Sequence, residues 1–165
     1  MRSGLLTDEL PYGERQKNVT VEWTKPRFFD KKTPVDKNWY NGQLYNTGLY
    51  YISRTHGKNK TLLYIGKTSD SFYSRFFSHR ESWLYQVKGK IYISLGYIIK
   101  PVYRASLNTA QIIKDIESAL IHEMQPPYNV DGRYSYTPKH LYKVTNTRYR
   151  GKIHETVSMR EHILY

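Results

Sequence analysis

Two short runs rich in tyrosine and branched aliphatic residues, 48–52 and 62–65, flank a polar stretch that carries Gly57 and Asn59. Aromatic and branched side chains favour extended backbone, and Gly and Asn supply turn chemistry. The pattern predicts an antiparallel hairpin with 53–61 as its connection. Ser69, Asp70 and Ser71 are candidate caps for a helix from Phe72 to about Gln86, with Gly89 as its stop. Residues 91–100 read as a third strand. A second helix, capped by Asn108 or Thr109, has apolar residues at helical spacing over 112–124 and must end at Pro126-Pro127.

The flanks read differently. Residues 1–45 are polar and basic, Pro11, Pro26 and Pro34 break any helix, and 19–23 is the one plausible strand. Beyond Asn129 the pattern fades into tyrosine mixed with Arg and Lys, with one weakly strand-like stretch near 141–144 and order expected only on binding. The expected fold is therefore α+β, a small sheet of about three strands flanked by helices, with N- and C-terminal extensions. The expected organisation is a basic extension over 1–45, a core over 46–132 and a second basic extension over 133–165.

The chain has 165 residues, enough for one core of ordinary size. Its 26 Lys and Arg against 14 Asp and Glu give a net charge of +12, and 17 tyrosines lie among the charges. That balance suits a polyanionic partner, with nucleic-acid phosphates first. A protein merely basic for solubility and an anionic membrane surface are the alternatives. There is no cysteine, which excludes disulfides, thiolate zinc sites and a cysteine nucleophile. No apolar run approaches the length of a transmembrane helix and no secretory leader is legible at the start, so a cytoplasmic location is expected and the Asn18-Val19-Thr20 triplet is set aside as a glycosylation site.

Both helices carry polar groups where apolar ones are expected. In the first, Phe72, Phe76 and Trp83 share a face, and Arg75 and His79 fall within it. In the second, Ile113, Ile116, Leu120 and Met124 form the apolar face with Glu117 in its middle. Such groups are costly unless they are paired or converge on a ligand. An internal Arg75–Glu117 salt bridge would explain both without catalysis. Convergence of Arg, His and Glu beside tyrosines instead describes a phosphoryl-transfer site.

Gly48-Leu49-Tyr50, then Tyr64-Ile65-Gly66, then Arg75 and His79 one turn apart, then Glu117 and Asn129, form an ordered set. The set resembles the GIY-YIG nuclease family over about residues 46–132, with Leu49 in place of the usual Ile. The stretch from Asp115-Ile116-Glu117 to Pro126-Pro127-Tyr128-Asn129, and Lys67 directly after Gly66, are similar to the nuclease half of the bacterial excision-repair incision proteins. The resemblance implies a GIY-YIG-type sheet and metal-dependent hydrolysis of nucleic-acid phosphodiesters. It also implies roles: Glu117 as the metal ligand, Arg75 stabilising charge on the phosphate, Tyr50 taking the proton of the attacking water, and Tyr64 orienting that water, with the two tyrosines interchangeable at this stage. Lys67 and His79 would lower the tyrosine pKa or relay the proton, and Asn129 would pin the loop after the second helix. One carboxylate with phosphate oxygens and waters suits Mg²⁺, with Mn²⁺ as a substitute.

Two competing motifs fail. Gly66-Lys67-Thr68 ends like a nucleotide-binding loop but has Thr61 where the first glycine belongs, so no nucleotide cofactor is expected. His122-Glu123 and His154-Glu155 lack the second histidine of a zinc-protease helix. A small restriction-type or phage-type DNA endonuclease acting on duplex is the expected class, with a homodimer if both strands are cut. Lys25, Arg27, Arg133, Lys139, Lys143, Arg148, Arg150 and Lys152 are candidate phosphate contacts. A partner-dependent incision protein, a non-catalytic nucleic-acid-binding module and an RNA-directed protein remain as alternatives.

Overall fold

A computed structural model of the chain describes residues 16–33, 48–68, 71–100 and 109–159. The strands are β1 (Lys17–Trp23), β2 (Arg27–Phe29), β3 (Gly48–His56), β4 (Asn59–Thr68), β5 (Lys90–Lys100), β6 (Tyr142–Arg148) and β7 (Thr156–Ser158), and the helices are α1 (Phe72–Glu81) and α2 (Thr109–Met124). All seven described strands belong to one curled sheet in the order β4-β3-β5-β1-β6-β7, with β2 paired to β5 off that path. The β1–β6 pair is parallel and the other pairs are antiparallel.

This corrects the expected fold. A sheet of about three strands flanked by helices is not what forms. The segment 19–23 is a central strand, and the weak signal near 141–144 is the start of a full strand beside it. Both show period-two burial: Val19, Val21 and Trp23 in β1, and Tyr142, Val144 and Asn146 in β6, are all buried. The alternation was legible, but the parallel partner of β1 lies more than a hundred residues away, and such pairing leaves no local trace. Asn146 also breaks the apolar pattern. It is tolerated because its Oδ1 accepts from Trp23 Nε1 at 3.0 Å and its Nδ2 donates to the His154 carbonyl at 2.9 Å.

The sheet carries a core on each face. One unites α2 residues Ile112, Ile113, Ile116 and Leu120 with Val21, Trp23, Leu49, Tyr51, Ile65 and Val144. The other unites α1 residues Phe72 and Phe76 with Tyr50, Ile52, Leu63, Ile93 and Leu95. The β3–β4 hairpin is longer than expected, turning at 57–58. Its register passes from Ile52↔Tyr64 to Ser53↔Leu62, leaving Leu63 without an opposite residue. This bulge turns both Leu63 and Tyr64 toward the α1 core while Leu62 and Ile65 face α2.

Ser71 caps α1, its Oγ accepting from the Ser74 N–H at 3.2 Å; Ser69, Asp70 and Asn108 lie outside the described residues, as do Pro11 and Pro34. The helix ends at Glu81, not near Gln86. At Ser82 the backbone leaves the helical range with ψ −88°; its N–H still donates to the Ser78 carbonyl at 3.1 Å, and its Oγ donates to the same carbonyl at 2.9 Å and to the His79 carbonyl at 3.3 Å, so the stop comes before Gly89. A 3-10 turn at Leu84–Gln86 follows. Among the described residues no helix is long and apolar enough to cross a membrane.

Candidate active site

The site starts on the hairpin. Tyr50 on β3 pairs with Gly66 on β4, and Tyr64 pairs with Ile52, so the two phenols lie on the α1 side of the sheet with ring centroids 6.1 Å apart. A Cβ at position 66 would stand 2.5 Å from Tyr50 Oη and 2.7 Å from the Tyr64 ring. Only glycine leaves room for the two rings, which is the physical content of the Tyr-Ile-Gly triplet.

His79, in the last turn of α1, is buried between them. Its Nε2 lies 2.6 Å from Tyr50 Oη, and its Nδ1 accepts from Trp83 Nε1 at 2.9 Å. An indole N–H can only donate, so Nδ1 carries the lone pair and the neutral ring carries its proton on Nε2. His79 therefore donates to Tyr50. Burial, with a smaller contribution from the nearby Arg75 charge, pushes the His79 pKa down to about 4, so the ring is neutral at pH 7.

Arg75 lies on an exposed position of α1, outside the buried stripe expected for it. Its guanidinium faces both phenol oxygens and lowers their pKa by charge and hydrogen bonding, against a larger upward push from burial. Both tyrosines consequently sit above the ordinary phenol range, Tyr50 far above it. Glu117, half-buried on α2, is pushed up to about 6 by burial, opposed by the charges of Lys67 and Arg75, a hydrogen bond from the Lys67 backbone N–H and the charge of Lys114. No direct ion pair joins Arg75 to Glu117 among the described residues. The simple salt-bridge explanation thus fails. Lys67 acts on the carboxylate through its charge and its backbone N–H.

A cleft of about 520 Å³ opens where β4, α1, α2 and the loop after α2 meet, lined by Tyr64, Arg75, His79, Lys114, Glu117 and Tyr128 among others. Tyr50 is fully buried behind it and does not line it. Of the two interchangeable tyrosines, Tyr64 is the one that faces the cleft. Asn129 is buried and bonds to Ile65 twice, accepting from its N–H at 3.0 Å and donating to its carbonyl at 2.8 Å, while the Tyr128 N–H donates to the Leu63 carbonyl at 3.0 Å. Asn129 therefore closes the free edge of β4 and fixes the loop, a structural role.

Three residues gain roles that the sequence reading did not give them. Trp83 sets the His79 tautomer, and the i, i+4 spacing of the two was the available signal. Tyr128 stacks on Trp83 at 4.4 Å between ring centroids and walls the cleft. Lys114 stands one turn before Glu117 on the same helix, another legible spacing.

The eight candidate phosphate contacts do not line this cleft. Arg27, Lys139 and Lys143 are exposed elsewhere. Arg133 lies over the Tyr134 ring at 5.7 Å, Arg148 pairs with Glu22 at 3.3 Å, and Arg150 Nη1 donates to the Ile153 carbonyl at 2.6 Å. Lys25 and Lys152 meet in a separate groove. No protein-family model, curated protein or solved structure matches the chain.

Proposed function

We propose that this chain is a metal-dependent endonuclease that hydrolyses DNA phosphodiesters, using the residues that carry the GIY-YIG resemblance. The reading is supported above all by the meeting in one cleft of a guanidinium, the Tyr64 phenol with the neutral His79 ring packed against it at 4.6 Å between centroids, and a half-buried carboxylate without a direct ion pair among the described residues. The net charge of +12 supports a polyanionic substrate.

Glu117 fits a divalent cation, because a carboxylate pushed up by burial regains its charge when a cation approaches. No group of three or more His, Asp or Glu gathers among the described residues, so a single carboxylate completed by phosphate and water oxygens suits Mg²⁺, or Mn²⁺ in its place. Such an ion, when bound, supplies Lewis-acid stabilisation of the phosphate and of the leaving oxygen. Arg75 neutralises charge on the phosphate through its fork of donors. Tyr64 presents the oxygen that orients the attacking water. Tyr50 stands behind it as a neutral phenol: its oxygen accepts the His79 Nε2 proton, its own hydroxyl proton is directed to the Tyr64 oxygen, and this bond with the Arg75 charge favours the Tyr64 phenolate, which takes the proton of the attacking water while the leaving oxygen takes one from solvent. Cutting both strands with one such centre per chain calls for two copies acting together.

The test is cleavage of supercoiled plasmid by purified protein with Mg²⁺ and with EDTA, beside Glu117→Gln. Nicking or linearisation that needs the metal and disappears in the variant is the expected result. Absence of cuts on plasmid, single-stranded DNA and RNA alike, with nucleic-acid binding intact, would overturn the reading in favour of a binding module or a partner-dependent incision protein.

A further inference from the structure

On the α2 side of the hairpin lies a second groove, of about 670 Å³, that shares no lining residue with the catalytic cleft. Among the described residues, three lysines, Lys25, Lys60 and Lys152, and three tyrosines, Tyr51, Tyr92 and Tyr149, line it, and no carboxylate does. Tyr51 forms the floor. It is buried, and its hydroxyl donates to the Tyr149 carbonyl at 2.7 Å. Gly151 has a left-handed φ of 58°, and a Cβ there would meet Tyr51 Oη at 3.0 Å. The loop bearing Tyr149 and Lys152 is thus fixed against the sheet before any ligand arrives. Tyr149 is half exposed, and Tyr92 stands beside the exposed Phe28 at 6.0 Å between ring centroids.

A fixed groove with cations and accessible aromatic faces, and without anions, has the two features that bind an unpaired nucleic-acid strand: charge that tracks the phosphates and rings on which bases stack regardless of sequence. A duplex, whose bases are stacked on one another, would use the lysines and leave the rings idle. We propose that this groove is a binding site for single-stranded nucleic acid. The site does not depend on the cleavage reading, since binding here needs neither Glu117 nor a metal.

The experiment is fluorescence anisotropy of a labelled twelve-residue oligo-dT with the whole protein in EDTA, so that cleavage plays no part. Compared with wild type are the Lys60→Glu/Lys152→Glu double variant, Tyr149→Ala, Tyr92→Ala and the control Lys17→Glu. Lys17 is exposed at the other end of β1, roughly 20 Å along the strand from Trp23 at about 3.3 Å per residue. Lys60 and Lys152 are both exposed, so their reversal leaves the core intact, which circular dichroism verifies. The expected results are a loss of about tenfold or more in the double variant with a shallower salt dependence, about fivefold or more for each tyrosine, and little change in the control. An unchanged affinity in the double variant, an equal loss in Lys17→Glu, tyrosine variants that bind like wild type, or a preference for duplex of the same length would each overturn the assignment.

Discussion

The two groups with resolved shifts inside the physiological range, His79 and Glu117, respond to acid in opposite senses, and the difference can be measured as folding stability. His79 has a folded pKa of about 4 against an ordinary 6.5. Between those values the unfolded chain binds the extra proton, so stability falls as pH drops through the window. Glu117 has a folded pKa of about 6 against an ordinary 4.5, so the folded chain binds the extra proton and stability rises as pH drops. At about 1.36 kcal/mol per pKa unit, moving from pH 7 to pH 4.5 costs about 2 kcal/mol at His79 and returns roughly 1 to 2 kcal/mol at Glu117. The two nearly cancel in the wild type and are separated by substitution. Relative to wild type, His79→Gln should gain about 2 kcal/mol of stability over that pH interval and Glu117→Gln should lose roughly 1 to 2 kcal/mol. Urea denaturation followed by far-UV circular dichroism at both pH values measures the two changes, and effects common to all three proteins subtract out. A gap between the variants smaller than about 1 kcal/mol, or the opposite order, would refute the assignment of a neutral buried imidazole and a protonatable buried carboxylate.

Three further substitutions probe the architecture around the cleft. Trp83→Phe removes the donor to Nδ1, so the Nε2-protonated tautomer should lose its dominance; imidazole nitrogen shifts in NMR report it, and an unchanged spectrum would mean that Trp83 does not set the tautomer. Gly66→Ala forces a methyl into the Tyr50 ring and should destabilise the fold by about 1 to 3 kcal/mol, with a clear drop in melting temperature, whereas wild-type melting would show that the ring can move aside. Asn129→Ala leaves a buried backbone N–H and carbonyl of Ile65 without their partners, at a cost of about 1 to 3 kcal/mol; hydrogen exchange should accelerate at the Ile65 amide, and equal protection in both proteins would argue against the pin.

The hairpin, both helices and the third strand were legible because each is local. Alternation, helical spacing, Ser71 and Pro126-Pro127 act within a few residues of where they stand. The end of α1 was misjudged because Ser82 leaves the helical backbone range while its hydroxyl donates to the Ser78 and His79 carbonyls, so the stop comes before Gly89. The bulge at Leu63 was invisible since a strand pattern does not show which residue its partner skips, and yet it decides that Leu63 faces α1 beside Tyr64. The partner of Asn129 was not legible, because the Ile65 backbone it bonds lies 64 residues away.

What the sequence by itself determined is the chemical inventory and its order: two tyrosines on neighbouring strands, a glycine that must admit their rings, an arginine and a histidine one turn apart, and a carboxylate on an apolar helix face. Only the tertiary structure decided that β1 and β6 build the middle of a curled seven-stranded sheet, that Tyr64 and not Tyr50 opens to the cleft, and that Lys67 serves the carboxylate. The physical reason is range. Propensity, capping and periodicity act over a few residues, whereas parallel pairing, burial and the sharing of charge between helices on opposite faces of a sheet depend on groups brought together only when the chain has folded.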